Sequence, residues 1–240
     1  MSDQLKELLL DEWFEKLKPF IDSGKLKEIA VQLNYERRNS GRRIIPEQGS
    51  RLLFRAFRET PYNNVKVVIL GQDPYYSFEG DVPVFDGLAF SNGHSHYPSP
   101  SLVNILKEVE DTFSEGLSLP KSAQYDLTPW AGQGVLLINT AHSVVENKPE
   151  SHLRLWKPFT MEVIRLINEK DNIVWVLWGR KAINYKKYIT KESHATVCTS
   201  HPSPLSHYKP VGDYPAFTGS KCFEKVNDAL DERNLTRIMW

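Results

Sequence analysis

Several features that would assign this chain to large protein classes are scarce or missing. Only two of its 240 residues are cysteine, Cys198 and Cys222, which make neither a disulfide framework nor a metal cluster. Each has small or apolar neighbours, so a reduced, packed thiol in an intracellular compartment is the expectation. No apolar run approaches the roughly 20 residues that span a bilayer, which points to a soluble protein. The opening MSDQLKELLLDEWFEKL threads acids and lysines through its apolar positions, the pattern of an amphipathic helix and not of a signal peptide. Net charge is absent as well: 30 Lys and Arg face 30 Asp and Glu. No global field therefore draws the protein toward nucleic acid or an anionic membrane, and any polyanion must be met by a local patch. Without an internal repeat, low-complexity tract or linker, residues 1–240 read as one domain.

What is present is core-forming material, 40% apolar residues with 11% aromatics, enough for one sizeable globular unit. Residues 1–60 form a helical N-terminal part. Helices are predicted from Asp3 to Lys18 and from Lys25 to Arg38, parted by Pro19 and the Asp22-Ser23-Gly24 turn; the basic loop ERRNSGRR and a short helical pattern from Gly49 to Arg58 follow. Four apolar runs then repeat one design: VKVVIL (Val65 to Leu70), GVLLIN (Gly134 to Asn139), NIVWVLWG (Asn172 to Gly179) and HATVCTS (His194 to Ser200). Between them Leu102, Ile105, Leu106, Val109 and Phe113, with Ser99-Pro100 as N-cap and first position, share one helix face, as do Trp156, Phe159, Val163 and Ile167. Short strands apolar throughout, alternating with helices, predict an α/β fold: a central four-stranded parallel sheet flanked by helices on both faces.

Ligands of such sheets bind at the carboxyl ends of the strands. Asp73, Asn139 and His201 each end or follow a predicted strand. Singly, each has an ordinary explanation: an Asp-Pro turn, an Asx turn, a satisfied loop histidine. Together on one rim, a carboxylate, an amide and an imidazole suit a flat heterocycle, the amide reading its edge, an aromatic ring stacking on its face, the imidazole bonding a departing anion. No cluster of His, Cys or carboxylates stands at metal-ligand spacing, so neither metal nor cofactor is expected; His94 and His96 of HSH read as surface loop histidines.

GQDPYY (Gly71 to Tyr76), GLAFS (Gly87 to Ser91), LTPWAGQGVLLINT (Leu127 to Thr140), VWVLWG (Val174 to Gly179) and HPSPLS (His201 to Ser206) resemble, in order, the successive signatures of family 1 uracil-DNA glycosylases, covering the chain from about Val65 onward. The resemblance implies metal-free hydrolysis of the deoxyuridine N-glycosidic bond in DNA, after the base is flipped from the helix. By the same likeness Asp73 would position the attacking water and stabilise the sugar cation, and His201, neutral, would donate to uracil O2. Gln72 would line the pocket, Tyr75 would exclude a 5-methyl group, Phe90 would stack on the base, and Asn139 would bond its O4 and N3 edge. Leu205, in the loop with Pro204, would wedge into the duplex, although on its own it reads as a turn residue packed inward. Ser101, Ser203 and Ser206 would hold backbone phosphates.

Three departures stand out. Tyr76 occupies the position where the family motif usually ends in histidine, and the segments 77–86 and 209–220 look extended. Basic runs at Arg37, Arg38, Arg42 and Arg43 and at Arg180, Lys181, Lys186, Lys187 and Lys191 read first as solvated faces. The implied partner is uracil-containing DNA, single or double stranded, with a proteinaceous inhibitor of the family as a second; a monomer is the default. The cytoplasm is expected for a bacterial or viral chain and the nucleus for a eukaryotic one. Two competing readings are a DNA-binding scaffold that keeps the fold without the chemistry, and a related base-excision enzyme of altered specificity.

Overall fold

In the computed structural model, residues 2–94, 98–113 and 125–240 are described. Helices α1 (Ser2–Asp22) and α2 (Lys25–Asn39) lead to β1 (Ile44–Ile45) and α3 (Arg55–Glu59). Strand β2 (Val67–Gly71) is followed by the hairpin of β3 (Phe78–Glu79) and β4 (Val82–Pro83), then by α4 (Pro100–Thr112) and α5 (Thr128–Gly132). The chain continues through β5 (Val135–Asn139), β6 (Val144–Val145), α6 (Leu153–Asn168), β7 (Val174–Trp178), α7 (Gly179–Ile183), β8 (Ala195–Thr199) and α8 (Cys222–Asp231).

The four predicted strands form the central sheet in the order β5-β2-β7-β8, every pair parallel. All residues of β2, β5 and β7 are buried, which is why these strands carry no polar alternation. From β2 the chain crosses to β5 on one side and returns to β7 on the other. The loops leaving β2 and β7 therefore diverge, opening a crevice at their carboxyl ends.

Helices flank the sheet. Trp156, Phe159, Val163 and Ile167 of α6 are all 1% exposed or less. Trp156 and Phe159 join Phe54, Phe57 and His142 in an aromatic cluster with ring centroids 5.0–6.2 Å apart. Helix α8 packs against β7, β8 and α4, and Trp178 meets Phe217 edge-on at 5.2 Å. Edge-to-face pairs of this kind add about 0.5–1.5 kcal/mol each beyond their buried area. Helices α1 and α2 pack on α6, so the N-terminal part shares the core.

One local expectation is corrected and two are refined. Pro19 does not end α1, which runs on to Asp22 and closes with Ser23 N–H donating to the Pro19 carbonyl at 3.1 Å. Helix α2 starts at the expected Lys25 and ends at Asn39, one residue past the expected Arg38, so the loop that follows is shorter than ERRNSGRR. Ser99 occupies the N-cap position of α4, but its side chain makes no capping bond. Among the described residues no helix is long and apolar enough to cross a membrane. Both cysteines are buried free thiols.

Candidate active site

The site begins where β2 and β5 end. Gly71 and Asn139, the last residues of the two strands, are register partners. Pairing continues past them, with Thr140 N–H donating to the Gly71 carbonyl and Ala141 N–H to the Gln72 carbonyl, both at 2.9 Å. The Asn139 side chain lies across the Gly71 Cα: a Cβ on residue 71 would sit 2.2 Å from Asn139 Oδ1. Glycine there is a condition for the amide's position. Asn139 is buried, and its amide makes no hydrogen bond among the described residues, which leaves a donor and an acceptor for a ligand.

Asp73 follows on the β2 loop. Its Oδ2 accepts from Gln72 Nε2 at 2.6 Å and from the Glu150 N–H at 3.1 Å. Oδ1 is buried and has no partner among the described residues. Burial pushes the carboxyl pKa up, the two hydrogen bonds work against that, and the charges of Glu150 and Lys181 oppose one another. One oxygen anchors the group while the other is buried and undersatisfied in a residue that lines the cavity, a state that strengthens any charge or water it meets.

His201 opens the loop after β8. The Ser203 N–H donates to His201 Nδ1 at 3.0 Å, so the neutral ring carries its proton on Nε2. Burial first, and the Lys181 charge second, lower its pKa to about 4. The imidazole is therefore a neutral donor near pH 7. Its place depends on Gly179, at φ +85°, where a Cβ would come within 2.9 Å of His201 Cβ.

Phe90 has φ 66°, a left-handed conformation that costs a non-glycine residue about 1–3 kcal/mol and persists only where the surroundings enforce it. Here they do. Tyr75 donates its hydroxyl to the Phe90 carbonyl at 2.9 Å. Fully buried Asp86 accepts from Leu88 N–H, Ser91 Oγ and Gly93 N–H at 3.1, 2.5 and 2.9 Å and pairs with Arg55 at 3.4 Å. The Phe90 ring then lies 5.2 Å from Trp178 and 5.8 Å from His201, centroid to centroid. Tyr75 is half-buried, and burial pushes its phenol pKa up.

Asp73, Tyr75, Phe90, Asn139 and His201 all line one cavity of about 420 Å³, with Gln72, Tyr76 and Ser101 on its walls. An adjoining cavity of about 530 Å³ shares Gln72 and His201 with it and adds Ser203, Leu205 and Ser206. Leu205 is 85% exposed at the loop tip; the inward-packed reading of this residue is overturned. Pro204 beside it is exposed, and Ser203 and Ser206 hydroxyls bond each other at 2.8 Å. Helix α4 joins the two rims. Ser101 lies in its first turn, Asn104 Nδ2 donates to the Pro202 carbonyl at 2.7 Å, and buried Glu108 accepts from Gly219 and Lys221 N–H at 2.7 and 2.8 Å. Among the described residues no group of three or more His, Cys, Asp or Glu is placed to hold a metal ion. His94 is exposed, and His96 lies outside the described residues.

The model of the uracil DNA glycosylase superfamily matches residues 57–231. The chain belongs to this superfamily. Curated relatives named uracil-DNA glycosylase agree over nearly the whole length. That of Sulfurimonas denitrificans is 40% identical over 237 residues, 98% of this chain and 95% of the relative, and that of Aliarcobacter butzleri is 38% identical over 228 residues, 94% and 96%. Among solved structures, mimivirus uracil-DNA glycosylase superposes with a TM-score of 0.85 at 31% identity, covering 98% of this chain and 88% of that one. A mimivirus UNG variant in complex with UGI gives 0.87 at 32%, covering 98% and 90%.

Within this glycosylase superfamily member, the expected departures have structural form. Tyr76 is 42% exposed on the cavity wall, its carbonyl bonded by Asn147 N–H at 2.9 Å. Residues 77–86 contain the β3-β4 hairpin, held by the Arg43 guanidinium 3.3 Å above the Phe78 ring and paired with Asp81. Residues 209–220 are fastened through Glu108 and through Ser200, whose Oγ accepts from Phe217 N–H at 2.9 Å. Gly71, Gly179, Asp86, Glu150 and Glu108 support the site without having been singled out by sequence reasoning. Gly71 and Gly179 lay in plain view, each closing or following an apolar run.

Proposed function

We propose that the chain excises uracil from DNA by hydrolysis, with Asp73, Asn139, His201, Phe90 and Tyr75 as its working residues and without a metal. The observation that carries this reading is their convergence on a single cavity in a member of the uracil DNA glycosylase superfamily. The flipped base stacks on Phe90, and the Asn139 amide meets its O4 and N3-H edge with one donor and one acceptor. Tyr75, its hydroxyl tied to the Phe90 carbonyl, stands where a 5-methyl group would go; the Gln72 side chain, braced on Asp73, closes the pocket.

As the C1′–N1 bond breaks, its electron pair goes to uracil and the sugar becomes cationic. The Asp73 carboxylate stabilises that cation and directs a water oxygen to C1′, taking its proton. The His201 Nε2–H donates to O2 of the leaving uracil anion. This bond strengthens as charge develops, and such donors are worth about 10²–10³ in rate. Extruding a base costs a few kcal/mol, and exposed Leu205 fills the gap it leaves, while Ser101, Ser203 and Ser206 hold phosphates. Tyr76 lies against the same strand as an uncharged donor. The products are free uracil and an abasic site, the entry to base excision repair.

One chain supplies every working side chain, which supports residues 1–240 as one catalytic unit; we take it as a monomer, acting in the cytoplasm for a bacterial or viral chain and in the nucleus for a eukaryotic one. UGI binds the mimivirus relative, and the shared fold supports a proteinaceous inhibitor as a second partner here. Uracil release from single- and double-stranded oligonucleotides, beside thymine and guanine·thymine controls, tests the proposal. Release is expected from the uracil substrates alone and to fall by orders of magnitude in Asp73→Asn. No release with DNA binding retained would leave a scaffold; thymine release would mean altered specificity.

A further inference from the structure

A third cavity of about 300 Å³ lies next to the one that holds Leu205 and shares Gln72, Thr140 and Lys181 with it. Its other charged walls are Arg154 and Lys157 from the start of α6 and Lys187 beyond α7, and it includes no carboxylate; Tyr185 and Tyr188 supply aromatic surface. Lys181 pairs with Glu150, which lines the neighbouring cavity. Arg154, Lys157 and Lys187 form no ion pair among the described residues, and all three are exposed. Arg154 and Lys157 stand three residues apart, hence on one face of the helix. The first turn of α6 contains no acid and adds the positive end of its dipole.

Three like charges without a counter-charge, Arg154, Lys157 and Lys187, stand around one concavity and repel each other, and an anion relieves the repulsion. We propose that this cavity seats the DNA backbone beyond the reacting nucleotide, as a phosphate track that continues from the catalytic crevice along α6. The proposal rests on the uracil-excision reading above. Position carries it: two of the shared walls, Gln72 and Thr140, are the chain neighbours of Asp73 and Asn139, so a strand leaving the crevice on that side passes Lys181 and runs onto the three unpaired cations. In a protein of zero net charge, such a local track supplies attraction that the global field does not. The tyrosine faces suit a stacked base, which tolerates any sequence.

The test is Arg154→Glu/Lys157→Glu, two exposed positions, beside a charge-matched control, Lys6→Glu/Lys225→Glu, on α1 and α8. For each variant, kcat/KM is measured on a long uracil-containing oligonucleotide and on a uracil trinucleotide, across a salt series. The expected result is a fall of about tenfold or more in the ratio of long to short substrate, confined to the α6 variant. The slope of log(kcat/KM) against log[salt] on the long substrate should also flatten by about 1–2, one to two phosphate contacts. A ratio and slope equal to those of the control overturn the track. If wild type releases no uracil at all, the activity reading fails, yet anisotropy binding of an undamaged long oligonucleotide by the same variants still decides this proposal: weaker binding with a flatter salt slope in the α6 variant supports it, and binding equal to the control overturns it.

Discussion

Substituting Gly71 by alanine inserts one methyl group where the Asn139 amide now lies. The new Cβ would be 2.2 Å from Asn139 Oδ1 and 3.1 Å from Ala89 Cβ, so the first contact is about 0.8 Å short of the 3.0 Å below which such contacts do not occur. Residue 71 is bonded on the strand through its carbonyl to Thr140 N–H, and Asn139 is its register partner, so the side chain must yield. An amide displaced by nearly 1 Å from the edge of the base loses its geometry, and misplacements of that size cost about 10²-fold in rate. Overpacking adds about 1–3 kcal/mol of instability. Steady-state uracil release and thermal unfolding measure the two effects separately. A double-mutant cycle isolates the cause: in an Asn139→Ala background, Gly71→Ala should cost little further activity, because the displaced group is gone. Wild-type kcat/KM for Gly71→Ala, or full additivity in the cycle, would refute the argument that Gly71 exists to seat Asn139.

Other perturbations follow from the same geometry. Because burial holds the Asp73 carboxyl above its ordinary pKa, the folded state resists its ionisation. Asp73→Asn should therefore raise Tm at neutral pH while nearly abolishing release, the charge having been a stability cost at every pH above the unfolded pKa; a lowered Tm with native circular dichroism would contradict this. In kcat/KM against pH, activity should fall on the acid side as Asp73 protonates. Glu150→Gln, which removes a like charge beside Asp73, should move the limb to lower pH; a limb unmoved by that change would contradict the assignment. Tyr75→Ala should admit thymine, read as thymine release from a thymine-containing oligonucleotide, with no gain if the ring does not guard C5. Leu205→Ala should slow excision from a paired substrate more than from a single strand, since only the duplex has a stack to fill; equal losses would remove the wedge.

Three of the four strands, β2, β5 and β7, were legible because each is buried on both faces, so the sequence had to spell them as unbroken apolar runs; the structure moves the strand starts by only a residue or two, as at Val67 against the expected Val65. The rim residues were legible for a related reason, as polar groups placed where such a run stops. Leu205 was not: a leucine after Ser-Pro carries no local sign of facing inward or outward, and only the tertiary placement of its loop exposes it. Asp86 and Glu108 escaped notice because a carboxylate that gathers backbone N–H groups, from its own loop at Asp86 and from a distant one at Glu108, has the same local sequence as a solvated one. The hairpin within residues 77–86 was hidden by its two-residue strands, below the length at which alternation can be read.

Helix α4 carries Ser101 at one lip of the crevice, holds the leucine loop at the other through Asn104, and fastens the segment before α8 through Glu108. Thirteen residues of α-helix are stiff over about 20 Å, so the gap between the lips behaves like the fixed opening of a calliper. DNA entering it must conform to the protein, and the elastic work of distortion falls on the double helix, the softer of the two bodies.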